Sequence, residues 1–145
     1  MEKYPELGKL WDRYFDPKVA QGLIDAEGFW PDTQKAEATR SLSGKQIQFI
    51  KDQLPNLIGG SADLAPSNKT YMNGVGDFSK ENYAGRNLHF GVRELAMTAI
   101  SNGILLHGGL KAFAATFFVF SDYTKPLARL SALMGLPLVF VFTHD

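Results

Sequence analysis

The stretch GRNLHFGVRELAMTAISNG, residues 85–103, joins an extended-looking apolar triplet, Leu88–Phe90, to a helical pattern through Gly91. The helical pattern runs from Val92 to about Leu106, with Leu95, Ala99 and Leu106 along one side, and it stops at Gly108 and Gly109. His107 falls in the last turn, where a helix C-terminus favours a cation. A strand handing over to a helix through a glycine is half of a βαβ unit, and the same alternation continues on both sides. Downstream, LKAFAATFF (110–118) reads as a strand and SDYTKPLARLSALMG (121–135) as a helix with Gly135 as its stop. Pro126 fits that helix only near its start or at a kink. LPLVFVFTHD (136–145) is a continuous apolar run of the kind buried on both faces of a parallel sheet. Upstream, Ser43 and Gln46 have capping-box spacing ahead of Ile47, Ile50 and Leu54, and Pro55 ends that helix. NLIGGSADLAPSN (56–68) then reads as a short buried strand entering a long loop, residues 65–87, rich in Asn, Gly, Ser and Tyr. The alternation predicts an α/β fold built on a parallel sheet with flanking helices.

Composition narrows the function classes. The chain has 145 residues, enough for one core, with 45% apolar and 21% charged residues. Fifteen basic residues balance fifteen acidic ones, so a nucleic-acid partner is disfavoured. The absence of cysteine removes disulfides, thiolate nucleophiles and cysteine-based zinc sites. The N-terminal sequence lacks the apolar core of a secretion signal, and no apolar run reaches the ~20 residues of a membrane span. The expectation is a cytoplasmic chain with no membrane partner, in which the NKT sequon at Asn68–Thr70 is a chance match. Residues 1–35 mix aromatics with Pro, Gly and acids, with a short helix expected around Pro5–Tyr14. They read as an interdomain connector whose aromatic residues need a surface to lie on.

No phosphate-binding loop, dinucleotide fingerprint or histidine spacing for a metal is present. What clusters instead is polar and aromatic residues at predicted strand ends: Ser61, Asp63 and Ser67; Arg93 and Glu94; Phe117, Phe118, Phe120 and Tyr123; His144 and Asp145. In open parallel sheets, ligands bind beyond these carboxyl ends. Each residue also has an ordinary structural reading. Glu94 in a first turn complements the helix dipole, Phe117 and Phe120 can be core, and Arg40 can be a solvated charge. Ser67 after Pro66 can be a turn residue, and backbone groups can satisfy His144. Periodicity alone ends at an α/β domain with a pocket.

Taken in order, GGSADLAPSN, HFGVRE, NGILLHGG, TFFVFSDY and ALMGLPLVFVFTHD closely resemble the pyrimidine-binding domain of transketolases across about residues 36–145. The segment before them resembles the connector that leads into that domain, with EKYPEL similar in wording. The resemblance implies thiamine-diphosphate chemistry, in which a two-carbon ketol unit passes from a ketose phosphate to an aldose phosphate. It implies that Glu94 is the catalytic glutamate that shares a proton with the cofactor's aminopyrimidine, as a desolvated carboxyl can. A first-turn position favours the ionised form, so desolvation has to prevail there. The resemblance further implies that Phe120 packs on the pyrimidine ring, with Phe117 and Tyr123 as neighbours and Asp63 close to the cofactor. Arg40 and Ser67 match the pair that holds the sugar phosphate, and His144 matches a substrate-contacting histidine.

The family's diphosphate-binding domain, which carries the Mg²⁺ or Ca²⁺ ligands, precedes such a segment and is absent from these 145 residues. The family's acidic, histidine-containing substrate loop and its C-terminal domain lie beyond the position of Asp145 and are absent as well. The expectation is half of a cofactor site: an excised fragment or split subunit, inactive alone, that completes an oligomeric enzyme with a diphosphate-binding domain or subunit. Two further readings stand beside it. One is a non-catalytic assembly module of the same fold. The other is a different thiamine enzyme, such as deoxyxylulose-phosphate synthase or phosphoketolase, although GGSADLAPSN and FTHD favour transketolase. An apolar edge at Val139–Phe142 predicts that the isolated chain associates.

Overall fold

A computed structural model describes residues 3–32 and 34–144. Three parallel strands, β1 (Leu57–Ser61), β2 (Lys111–Phe117) and β3 (Val139–Thr143), form one sheet in the order β1-β2-β3. Leu57 pairs with Lys111 and Ser61 with Ala115, while Phe113 pairs with Val139 and Phe117 with Thr143. β2 and β3 therefore end level, at Phe117 and Thr143, while β1 ends at Ser61, opposite Ala115. This is the expected α/β architecture.

Period-two alternation along β2 divides the core. Phe113 joins Ile47, Leu54, Leu57 and Met72 on one face, with Val19, Leu23 and Ile50 packed against them. Ala114 joins Ala62, Phe90 and Met97 on the other face, backed by Leu138 and Phe140. The first face is covered by helix α2 (Thr39–Gln53) and by residues of the lead segment, the second by helix α4 (Glu94–His107). Helix α5 (Ser121–Leu133) packs on α4.

Most expected elements are present, with four corrections. Helix α1 spans Pro5–Phe15, close to the expected range. Helix α2 begins at Thr39, not at Ser43, with Ala38 as an N-cap that offers no side-chain bond; Ser43 is interior, so its spacing to Gln46 is not a capping box. Its far end stops before Pro55 as expected, and the Arg86 guanidinium closes it by donating to the carbonyls of Lys51 (3.1 Å) and Leu54 (2.9 Å).

Leu88–Phe90 is extended but is not a strand. It touches β1 through a single bridge, Gly59 to Asn87, with Leu88 N–H donating to Gly59 O at 2.8 Å. The buried Asn87 side chain ties the segment to the preceding loop instead. Its amide donates to Met72 O (2.9 Å) and Gly76 O (3.1 Å), and its Oδ1 accepts from Met72 N–H (2.8 Å). The approach to β1 depends on Gly60, where a Cβ would fall 1.9 Å from Leu88 O.

The third correction concerns α4, which begins at Glu94, two residues after the expected Val92. Leu95, Ala99 and Leu106 do share its outer, exposed side, and the buried residues are Glu94, Met97, Thr98, Ser101 and Asn102. Helix α5 repeats the inversion, burying Thr124 and Ser131 while Leu130, Leu133 and Met134 are exposed. Between the two helices, Ser131 donates to Asn102 Oδ1 at 2.6 Å and the Asn102 amide donates to Leu127 O at 3.0 Å. Pro126 is the sixth residue of α5, in its second turn, where it forgoes the bond to Asp122 O.

The fourth correction is β3. It is an edge strand of the sheet formed by the described residues, and of its five residues only Thr143 is buried. Its apolar run reads as doubly buried only if a further element covers it.

Candidate functional site

The carboxyl ends of the strands converge with the start of α4 around a cleft of about 530 Å³ lined by Ala62, Asp63, Leu64, Val92, Glu94, Phe120 and Tyr123. Glu94 is the first residue of α4 and only 7% exposed. The Thr116 hydroxyl, near the end of β2, donates to its Oε1 at 3.4 Å. Gly91 (φ 65°) turns the chain immediately before, so the extended Leu88–Phe90 segment delivers Glu94 to the end of β2. An acid among Ala62, Leu64, Val92 and two aromatic rings can serve as a hydrogen-bonding anchor inside an otherwise apolar slot.

The aromatic side of the cleft continues as a row. A short 3₁₀ turn, Phe118–Phe120, follows β2 directly and stacks Phe120 against Phe117 (6.0 Å between ring centres, 11° between planes) and, at a 29° tilt, against Tyr123 (6.2 Å). Phe117 in turn meets the His144 ring edge-on at 4.8 Å. Phe117 is therefore a link between the cleft and the end of β3 and does not itself line the cleft. At the far end of the row, Arg40 Nη1 lies 2.5 Å from His144 Nε2 and 3.0 Å from Nδ1. Arg40 and His144 come from positions 104 residues apart, and a guanidinium donor beside an imidazole suits an anionic oxygen group.

Asp63 adopts φ 61°, in the left-handed region, just after β1, and faces two clefts. The second has a volume of about 500 Å³ and is bounded by Ser61, Pro66, Tyr71 and His89. Beside it, His89 Nε2 lies 3.0 Å from Asp77 Oδ1. That bond holds the Asp77 carboxyl below its ordinary range, and the Asp77 carboxylate pushes the Tyr71 hydroxyl above its own. Ser67 is exposed on the four-residue helix α3 (Ala65–Asn68). No direct contact joins it to Arg40 among the described bonds. Asp145 lies outside the described residues.

The family model for the transketolase pyrimidine-binding domain matches residues 35–145. The chain belongs to that family. It is 56% identical over 144 residues to the transketolase of Bacillus subtilis and 51% identical over 142 residues to that of Halalkalibacterium halodurans. These matches cover 99% and 98% of the chain but only 21% of each relative. Among solved structures, a mutant transketolase from Pichia stipitis superposes with a TM-score of 0.86 at 42% identity, covering 99% of this chain and 22% of the other. The Pichia stipitis enzyme in complex with sedoheptulose 7-phosphate superposes with a TM-score of 0.82 at 39% identity, covering 99% of this chain and 22% of the other. The chain thus spans about a fifth of the length of its transketolase relatives.

One residue of the region was not singled out in the sequence. Asn68 closes α3, is 0% exposed and uses both amide atoms. Its Nδ2 donates to Ser61 Oγ at 3.1 Å and its Oδ1 accepts from Thr143 Oγ1 at 2.6 Å. Ser61 Oγ is also 2.7 Å from Thr70 Oγ1. With its amide committed and buried, Asn68 is not a glycan acceptor in this fold. Its sequence signals were its place in the SADLAPSN run and the NKT sequon, and neither points to this role.

Proposed function

We propose that this chain supplies the pyrimidine-binding half of a transketolase site, acting in thiamine-diphosphate-dependent transfer of a two-carbon ketol unit from a ketose phosphate to an aldose phosphate. The observation that carries this reading is Glu94: a nearly buried carboxyl at the first turn of α4, facing a cleft with an aromatic wall. That cleft fits an aminopyrimidine, which needs one hydrogen-bonding acid and flat apolar sides. When bound, thiamine diphosphate supplies the electron sink for the carbon–carbon bond changes.

The chain's own residues have separable tasks in this reading. Glu94 shares a proton through its carboxyl with a ring nitrogen, held in place by Thr116 and by its helix. Phe120 and Tyr123 keep that exchange away from water and orient the ring, and Phe117 backs Phe120. Arg40, His144 and Ser67 form the rim that holds the sugar phosphate, the guanidinium as the charged fork. Asp63 borders the cleft and limits the pose of whatever enters it.

The diphosphate and its Mg²⁺ or Ca²⁺ are assigned to a partner domain or subunit, with residues 1–35 as the connector and 36–145 as the partial pyrimidine-binding domain. The exposed apolar sides of α4 and α5 support a partner of this kind, in an oligomer. A cytoplasmic setting belongs to the same reading. The test is to mix the chain with a diphosphate-binding domain, thiamine diphosphate and Mg²⁺ and to assay ketol transfer. Transfer that depends on Glu94 is expected; activity surviving Glu94→Ala overturns the assignment, and a folded complex without activity favours the assembly-module reading.

A further inference from the structure

We propose that Asn68 is a positioning residue, clamping the turn that carries Ser67 to the strand end that carries His144 and so setting the spacing of the phosphate-holding rim. The inference rests on the sugar-phosphate reading above and adds to it a residue that touches no ligand. β1 and β3 are not neighbours in the sheet; β2 lies between them. No backbone ladder therefore joins their carboxyl ends directly. The Asn68 amide does, with Ser61 at the end of β1 on its nitrogen and Thr143 at the end of β3 on its oxygen. Ser67 and His144 are the chain neighbours of the two residues joined at 2.6 Å, Asn68 and Thr143.

Burial gives the clamp its force. Asn68 and Thr70 are fully buried and Ser61 nearly so, with Thr143 largely enclosed, so water cannot stand in for a lost partner. Removing the Thr143 hydroxyl leaves Asn68 Oδ1 without its donor, and α3 must shift to find another. A displacement of about 1 Å in a holding group is enough to cost one to two orders of magnitude in a well-oriented site. The loss should fall on the phosphate alone, because Glu94 is held separately through Thr116 and α4.

The experiment uses the chain assembled with a diphosphate-binding domain, thiamine diphosphate and Mg²⁺. It compares a ketose phosphate with an unphosphorylated ketol donor, and measures inorganic phosphate affinity by calorimetry. Thr143→Val keeps the shape of the side chain and deletes only the hydroxyl. It should raise KM for the ketose phosphate about tenfold and weaken phosphate binding in parallel. The kcat values and the KM for the unphosphorylated donor should stay within about twofold. Thr143→Ser, which keeps the hydroxyl, should restore the wild-type pattern, and Asn68→Ala should reproduce that of Thr143→Val. Equal losses on both donors, or no change on either, overturn the clamp. Arg40→Ala separates the clamp from the site it serves: if it leaves the preference for the phosphorylated donor intact, the phosphate-site reading itself fails and the clamp fails with it.

Discussion

The two faces of the sheet are finished differently. On the α2 side, apolar residues point inward from every element: Ile47, Ile50 and Leu54 from the helix, Leu57 and Phe113 from the strands, Val19 and Leu23 from the lead segment. On the α4–α5 side, Met97 meets Ala114 and Phe90, but the bonds between the two helices are polar, made by Asn102, Ser131 and the Leu127 carbonyl. The larger apolar side chains face outward there, with Ile100 50% and Leu133 67% exposed. The first face is a core that keeps an apolar cleft of about 580 Å³ between the lead segment, α2 and the sheet. The second is a middle layer, made to be covered by something else. Its polar bonds fix how α4 and α5 sit against each other without using the apolar area that a partner would bury.

Substitutions at three places probe that contrast. The largest effect is expected from Phe113→Ala, which empties the centre of the α2 face and should lower stability by about 3–5 kcal/mol in urea unfolding. A loss below about 1 kcal/mol would mean that this face is not the principal core. Next, Asn102→Ala removes both bonds that cross between the helices, leaves Ser131 only its own-helix bond to Leu127 O (3.0 Å), and should cost about 1–3 kcal/mol, with Asn102→Leu no better. Additive losses in a double-mutant cycle of Asn102 and Ser131 would deny the coupling. The smallest change in stability, within about 0.5 kcal/mol, is expected from Ile100→Ser combined with Leu133→Ser. That same pair should reduce self-association or partner binding in sedimentation velocity. Unchanged association would mean that the outward apolar side is not an interface.

The sequence carried the strand–helix alternation because local signals mark it: Pro55, Gly108 and Gly135 stop helices, and apolar runs mark β1 and β2. It did not carry the status of Leu88–Phe90, because the contact with β1 stops at one bridge and two backbone bonds, Leu88 N–H to Gly59 O and Gly59 N–H to Arg86 O, and does not continue as a ladder. Nor did it reveal the outward side of α4. Periodicity identifies a row of apolar residues but cannot say whether this chain or another covers it, and the same ambiguity affected β3. At the site, Glu94, Phe120, Tyr123 and Asp63 were legible through the motifs that contain them, and they do line one cleft. Asn68 was not, because its importance comes from Thr143, 75 residues further on, and in sequence it looks like one more loop asparagine.

Everything proposed for the cleft turns on Glu94 holding a proton in common with the cofactor's pyrimidine ring. Deuterium exchange at the C2 position of thiamine diphosphate bound in the assembled complex reads that proton's path. Glu94→Gln, which keeps the shape and a hydrogen bond but cannot pass the proton, should slow the exchange by at least about 100-fold while the cofactor still binds. Exchange at the wild-type rate in that variant would remove Glu94 from the chemistry and leave it an ordinary first-turn acid.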